Sequence, residues 1–211
     1  MNNLIKTKII DISHPEALEI ARTTLFSGGL VAFPTDTVYG LAALVHDGAG
    51  INKLFDVKGR DSIKAIAVLI GDMAQLPLIA DDFTGPARKL AQMFWPGALT
   101  LIVPRLMDLP DNLSPYPTIG IRMPNHPFAI SLLKITGPLA TTSANLSGGE
   151  NPVCASDVEN QLGGAIELIL DGGQTPGPIP STVVDCAGPI PQIIRDGMIT
   201  AEEISASLNQ P

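Results

Sequence analysis

Charge is scarce in this chain, at 16% of 211 residues, and aromatic residues are scarcer still, at 4%. Low charge combined with 45% hydrophobic residues excludes disorder driven by charge excess and leaves ample apolar material for a sizeable core. Basic residues are outnumbered, 13 against 21 acidic, for a net charge of −8. That deficit argues against general nucleic-acid binding, in which Lys and Arg replace counterions on phosphate, but it leaves room for a local basic pocket. There are two cysteines, Cys154 and Cys186, and three histidines. No disulfide framework follows from one pair, and no CxxC or Cys/His spacing suggests zinc or another resident metal. Apolar runs such as 65–70 and 98–103 have strand length, far below the about 18 residues that cross a bilayer. The opening stretch MNNLIKTKIIDIS shows neither an apolar signal core nor a small-residue cleavage site. The expectation is a cytoplasmic protein away from membranes, a single domain over 1–211 with its core at about 8–197.

Glycine (20) and proline (19), by contrast, are plentiful and punctuate the chain into short elements. Ser13-His-Pro-Glu16 reads as a capping box opening a helix whose Leu18, Ala21 and Leu25 share a face, stopped by Gly28-Gly29. Strands are expected at 30–33, 65–70, 99–103, 119–122, 139–142, 166–170, 182–185 and 192–195. Helices are expected from about Asp47 to Gly59, around 86–94, and from His126-Pro127 to about Ile135. Ser156-Asp-Val-Glu159 and Thr200-Ala-Glu-Glu203 read as two further capping boxes, the second opening a short C-terminal helix at about 200–208. Strands and helices so intermixed indicate an α/β fold on a sizeable twisted sheet.

The polar chemistry collects at strand ends. Arg122 and Arg195 each close an apolar run, where a guanidinium needs an anion or a carboxylate to satisfy it. An internal ion pair, with Asp185 or Asp196 as candidate partners, would serve either arginine alone. Lys58, Arg60 and Lys64 fall on a loop between a helix and a strand, and clustered cations suit a polyphosphate. Pro34-Thr-Asp-Thr-Val-Tyr-Gly40 offers the hydroxyls of Thr35 and Thr37 after a strand. Thr141-Thr-Ser-Ala-Asn-Leu-Ser-Gly-Gly149 packs hydroxyls, an amide and glycines together, as phosphate-binding nests do, without the Lys-Ser/Thr ending of a P-loop. His14 and His126 precede prolines near helix starts and fit local turns, and Trp95-Pro-Gly97 fits a turn set against the core. With no paired carboxylates and no GxSxG elbow, positioning and charge neutralisation are favoured over general acid–base or covalent catalysis.

In their order along the chain, Gly29-Leu-Val-Ala-Phe-Pro-Thr-Asp-Thr-Val-Tyr-Gly-Leu41, Lys58-Gly-Arg60, Trp95-Pro-Gly-Ala-Leu-Thr100, Ile119-Gly-Ile-Arg-Met-Pro124, Ala140-Thr-Thr-Ser-Ala-Asn-Leu-Ser-Gly148, Ser181-Thr-Val-Val-Asp185 and Ile194-Arg195 resemble the YrdC-like threonylcarbamoyl-AMP synthase family. The resemblance implies a YrdC-type twisted, mostly antiparallel or mixed open sheet with flanking helices around a concave pocket. It implies a nucleotidyltransferase that makes L-threonylcarbamoyladenylate and pyrophosphate from ATP, L-threonine and bicarbonate, with Mg²⁺ accompanying ATP. The product would serve threonylcarbamoyladenosine modification of tRNA, through transient contact with tRNA or a downstream transferase. On this resemblance Thr35, Arg122, Thr141 and Ser181 hold threonine. Arg60, Lys64, Thr118, Ser143, Asn151 and Arg195 contact the nucleotide, and Lys58 acts with Arg60 beside its phosphates. Asn145 and Ser147 belong to the same loop. Where longer synthases carry a proline and, four residues on, a histidine, this chain has Ala65 and Leu69. A YciO-like paralogue without the activity, and an RNA-binding or ribosome-associated factor, are the alternative readings.

Overall fold

The computed structural model describes residues 5–59 and 65–209. Its strands are β1 (Lys8–Asp11), β2 (Val31–Phe33), β3 (Gly40–Leu44), β4 (Ala67–Leu69), β5 (Leu99–Pro104), β6 (Thr118–Arg122), β7 (Leu139–Ser143), β8 (Leu168–Asp171), β9 (Thr182–Asp185) and β10 (Gln192–Arg195). Its α-helices are α1 (Ala17–Phe26), α2 (Gly48–Lys58), α3 (Gly85–Phe94), α4 (Pro127–Thr136), α5 (Ala155–Leu162) and α6 (Ala201–Asn209). All the strands join one sheet in the order β1-β8-β2-β3-β7-β4-β6-β5-β9-β10. The pairs β1–β8, β8–β2, β4–β6 and β5–β9 run parallel and the rest antiparallel, so the sheet is mixed, as expected.

Alternation along the strands sends side chains to two different surroundings. Ala32, Leu41, Val68, Ile119 and Ile121 face a large core with Ile51, Leu54 and Phe55 of α2 and Val158 of α5. At the far end of the sheet, Leu99, Leu101 and Val184 pack with Leu90 of α3 and Ile204 of α6. The opposite face carries α1 and α4, which cover Val31, Phe33, Ala42, Leu139 and Leu168. Beyond them that face has mostly small side chains: Ala67, Gly120, Thr100 and Thr141. This half-face is the floor of the cavity described below.

Local signals held at some ends and failed at others. Gly59 closes α2 in the left-handed conformation (φ 55°), and the Asp47 side chain accepts from Ala49 N–H at its start. The Thr200–Glu203 box forms in both directions, at 2.8 and 3.2 Å. The Ser13 box does not form. Asp11 accepts the Ser13 N–H and His14 Nδ1 accepts the Glu16 N–H, so α1 starts at Ala17 without a side-chain cap. The box placed at Ser156 is shifted: α5 begins at Ala155, and the Asp157 carboxylate accepts from Val153 and Cys154 N–H. Strands β1 and β3 were not expected. One is exposed except at Ile10, and the other, Gly-Leu-Ala-Ala-Leu, lacks β-branched residues.

Candidate functional site

The cavity, about 380 Å³, lies over β7, β4, β6, β5 and β9 and is walled by the segments 35–40 and 180–181. At its inner end Arg122 leaves β6 buried, and each edge of its guanidinium is used. Nε donates to Gly97 O at 3.0 Å, one terminal nitrogen to Thr37 Oγ1 at 3.1 Å, and the other to Asp36 Oδ1 at 2.5 Å. Asp36, rather than Asp185 or Asp196, is thus its carboxylate partner; Asp185 instead accepts the Ala187 N–H.

The hydroxyl protons here follow from donor counts. Thr37 Oγ1 accepts from Arg122, and Thr35 Oγ1 donates to Val38 O at 2.7 Å, so the 3.1 Å contact between them is Thr37 donating to Thr35. Thr35 also accepts the Thr37 N–H at 3.2 Å, which completes its capacity. Arg122, Thr37 and Thr35 form a directed chain along the inner wall.

At the other end Arg195 clasps Ser181. Its Nε and one terminal nitrogen donate to Ser181 O at 3.2 and 2.8 Å, and the same terminal nitrogen reaches Ser181 Oγ at 3.1 Å. Ser181 Oγ lies 2.8 Å from Thr100 Oγ1. A bulge aims this arginine. Ile193 pairs with Val184 and packs toward α3 and α6, and regular alternation would send Arg195 the same way. Instead Ile194 bulges out and Arg195 lies opposite Val183, on the cavity side. Among the described residues no carboxylate pairs with Arg195. Burial pushes the Arg122 guanidinium down from its ordinary pKa, Asp36 draws it back up, and the like charge of Arg195 adds to the push. Burial lowers Arg195 as well. Both remain charged, because a guanidinium does not release its proton in proteins.

The loop after β7 supplies the third wall. Ser143 lines the cavity and donates to Asn145 Oδ1 at 2.5 Å. Lys58 is buried beneath this loop, and its ammonium donates to the Ser143 and Asn145 carbonyls and to Asn145 Oδ1. Ser147 N–H donates to Lys58 O at 2.9 Å. Asn151 lines the cavity and donates to Pro178 O at 3.1 Å. The segment 172–180 is stapled down: Tyr39 OH donates to Gly173 O and accepts the Gly172 N–H, and Gly177 N–H donates to Thr37 O.

Of the residues named from sequence, Thr35, Arg122, Thr141, Ser143, Asn151, Ser181 and Arg195 line one cavity. Thr118 shares a strand face with Gly120 and Arg122 but stands outside the lining, as do Lys58, Asn145 and Ser147. Arg60 and Lys64 lie outside the described residues. His14, His126 and Trp95 hold local structure: each imidazole accepts a backbone N–H, and Trp95 stacks on Phe83 and donates to Leu99 O. Sequence reasoning passed over Asp36, Thr100, Tyr39 and Gly120. Thr100 was legible as the polar position between inward-facing Leu99 and Leu101, and Asp36 as the carboxylate inside the Thr35–Thr37 turn.

A family model described as telomere recombination, that of the Sua5/YciO/YrdC domain, matches residues 23–197. The chain belongs to the Sua5/YciO/YrdC family. Within that family it is 45% identical over 196 residues to the threonylcarbamoyl-AMP synthase of Bacillus subtilis, covering 88% of this chain and 55% of that protein. A Mycobacterium tuberculosis relative is 36% identical over 207 residues and is matched over 95% of its length. The crystal structure of Pyrococcus abyssi Sua5 complexed with L-threonine superposes with a TM-score of 0.91 at 35% identity, over 96% of this chain and 61% of that one. Escherichia coli YciO shares the fold, with a TM-score of 0.83 at 24% identity. The chain thus spans little more than half of the B. subtilis relative.

Proposed function

We propose that this chain is an L-threonylcarbamoyladenylate synthase, a cytoplasmic nucleotidyltransferase acting on ATP, L-threonine and bicarbonate. The observation that carries the reading is the presence of Arg122 and Arg195 on one cavity, with Asp36 the one carboxylate among the described residues in ion-pair contact with either of them. Two guanidiniums against one carboxylate leave positive charge that an anionic ligand would offset, and this reaction brings two anions together. The threonine amine takes up bicarbonate to give a carbamate and water. A carbamate oxygen then attacks the α-phosphorus of ATP, forming the new P–O bond as the bond to pyrophosphate breaks. Alignment and neutralisation of charge serve such a displacement better than a protein nucleophile.

In this reading threonine lies against Thr35, Arg122 and Thr141 at the inner end and extends to Ser181 beyond them. The nucleotide takes Ser143, Asn151 and Arg195, with Thr118, Arg60 and Lys64 toward its phosphates. Lys58 acts by holding the loop that carries Ser143, and Asn145 and Ser147 act within that loop. Mg²⁺ would arrive on the phosphates of ATP. The hydroxyls, amides and guanidiniums of the cavity do not suit a divalent cation, so the phosphates themselves would hold the ion. The product would pass to tRNA directly or through a downstream transferase.

Incubation with ATP, threonine and bicarbonate tests the reading: pyrophosphate should appear, and omission of threonine should abolish it. Release that ignores threonine would sink the proposal. Leu69 on the cavity wall favours one second reading, a YciO-like protein with this pocket and another acceptor, and the omission control separates the two.

A further inference from the structure

Thr100 lines the cavity, and its hydroxyl touches the corner formed by Ser181 and Arg195. It is buried on β5, directly opposite Val183 of β9. Its methyl lies over Gly120, where an added Cβ would come within 3.2 Å of it, and its hydroxyl reaches Ser181. At 2.8 Å the Thr100–Ser181 contact has ordinary O–H···O length.

Proton counting limits what this pair can do. Arg195 only donates, so it occupies one lone pair of Ser181 Oγ. The two hydroxyls hold two protons and share one between them. The other is left over, and both residues line the cavity. With Arg195 beside it, the leftover proton meets an anionic oxygen best when Ser181 carries it, and that requires Thr100 to donate from behind. Thr100's hydroxyl has no other hydrogen-bond partner among the described residues, so nothing competes for its proton.

We propose that Thr100 is a positioning residue: by donating to Ser181 it aims the Ser181 hydroxyl proton at an anionic oxygen of the bound ligand, alongside Arg195. The inference rests on the synthase reading for the identity of that ligand, which offers a carboxylate on threonine and phosphates on the nucleotide.

The test compares wild type, Thr100→Val, Thr100→Ser, Ser181→Ala and the Thr100→Val/Ser181→Ala double variant. Thr100→Val keeps the shape and removes the hydroxyl. It should raise one Michaelis constant roughly five- to tenfold, the size of one neutral hydrogen bond, with kcat within about twofold. A rise in KM for threonine assigns the oxygen to its carboxylate, and a rise in KM for ATP assigns it to a phosphate. Thr100→Ser should restore the wild-type value, and the double variant should be no weaker than Ser181→Ala alone. Unchanged KM values in Thr100→Val, failure of Thr100→Ser to rescue, or additive losses in the double variant would overturn the proposal. Thr100→Ala replaces Thr100→Val in every comparison if the valine variant does not fold. If wild type releases no pyrophosphate, the synthase reading fails and thermal-shift titration with inorganic pyrophosphate decides the inference instead. A shift lost in Thr100→Val and kept in Thr100→Ser supports it, and equal shifts in all three refute it.

Discussion

Replacing Lys58 with methionine separates two roles for a cation at the end of α2. Lys58 is 3% exposed, and its ammonium holds the Ser143 and Asn145 carbonyls and Asn145 Oδ1. Methionine has a similar unbranched length but donates nothing. Each buried acceptor left unpaired is worth about 1–3 kcal/mol. Part of that is returned because no charge has to be buried. A net loss of about 2–4 kcal/mol follows, and at this chain length each kcal/mol lowers Tm by about 2–4 °C. Lys58→Met should therefore melt roughly 5–15 °C below wild type in calorimetry. Threonine-dependent pyrophosphate release, measured well below both melting points, should fall with it, because Ser143 loses its support. A cation acting directly on phosphate gives another pattern: turnover lost and the melting point unchanged. That result would refute the buried-anchor argument.

Arg122→Met leaves the partly buried Asp36 without its cation, and the loss should approach the about 3–5 kcal/mol usual for a broken buried pair. Adding Asp36→Asn should recover much of that stability in denaturant titration without restoring threonine-dependent turnover. His126 caps α4 by accepting the Ala129 N–H through Nδ1, and burial, only partly opposed by Asp36, lowers its pKa below the ordinary 6.5. Because the unfolded chain binds the proton more readily, stability should be full above pH 6.5 and fall as pH drops from there toward the folded-state pKa. His126→Asn, which keeps an acceptor at the cap, should flatten that slope in a series of melts. Burial pushes the Tyr39 hydroxyl up to about 12, so the native state resists its ionisation and stability should decline as pH rises from 10 toward that value. Tyr39→Phe should remove the alkaline decline and lower stability at neutral pH by about 1–3 kcal/mol, through the unpaired Gly172 and Gly173 groups.

What the sequence made legible was local. β9, β10 and the Thr200–Glu203 start of α6 are bounded by prolines, glycines and a capping pair, and they stand where the pattern puts them. Ser13 and Ser156 carry the same capping letters, but nearby carboxylates and an imidazole took the backbone donors first, a competition that spacing alone does not reveal. The partner of Arg122 was hidden for a different reason. Asp36 is 86 positions away in sequence and reaches it because β3, β7, β4 and β6 are consecutive in the sheet. Lys58 illustrates a third limit: composition marks a cluster of cations but not which one turns inward beneath the loop after β7.

Net charge was the weakest guide to the site, and the sheet explains why. A charge of −8 is spread over the whole surface, whereas the field in the cavity depends on the few groups that alternation and register deliver to one half-face. β6 and β10 are separated by β5 and β9, and each ends in an arginine. Arg122 reaches the cavity by regular alternation with Gly120. Arg195 reaches it because the Ile194 bulge breaks the alternation that Ile193 would otherwise impose. α1 and α4 cover only the other half of this face, and small residues there leave room for a ligand between the two cations. One irregular residue in an edge strand thus turns an arginine that would point toward α3 and α6 into a second cation on the cavity wall. An acidic chain needs no basic surface to gather cations in a cavity, only two strand ends aimed at the same floor.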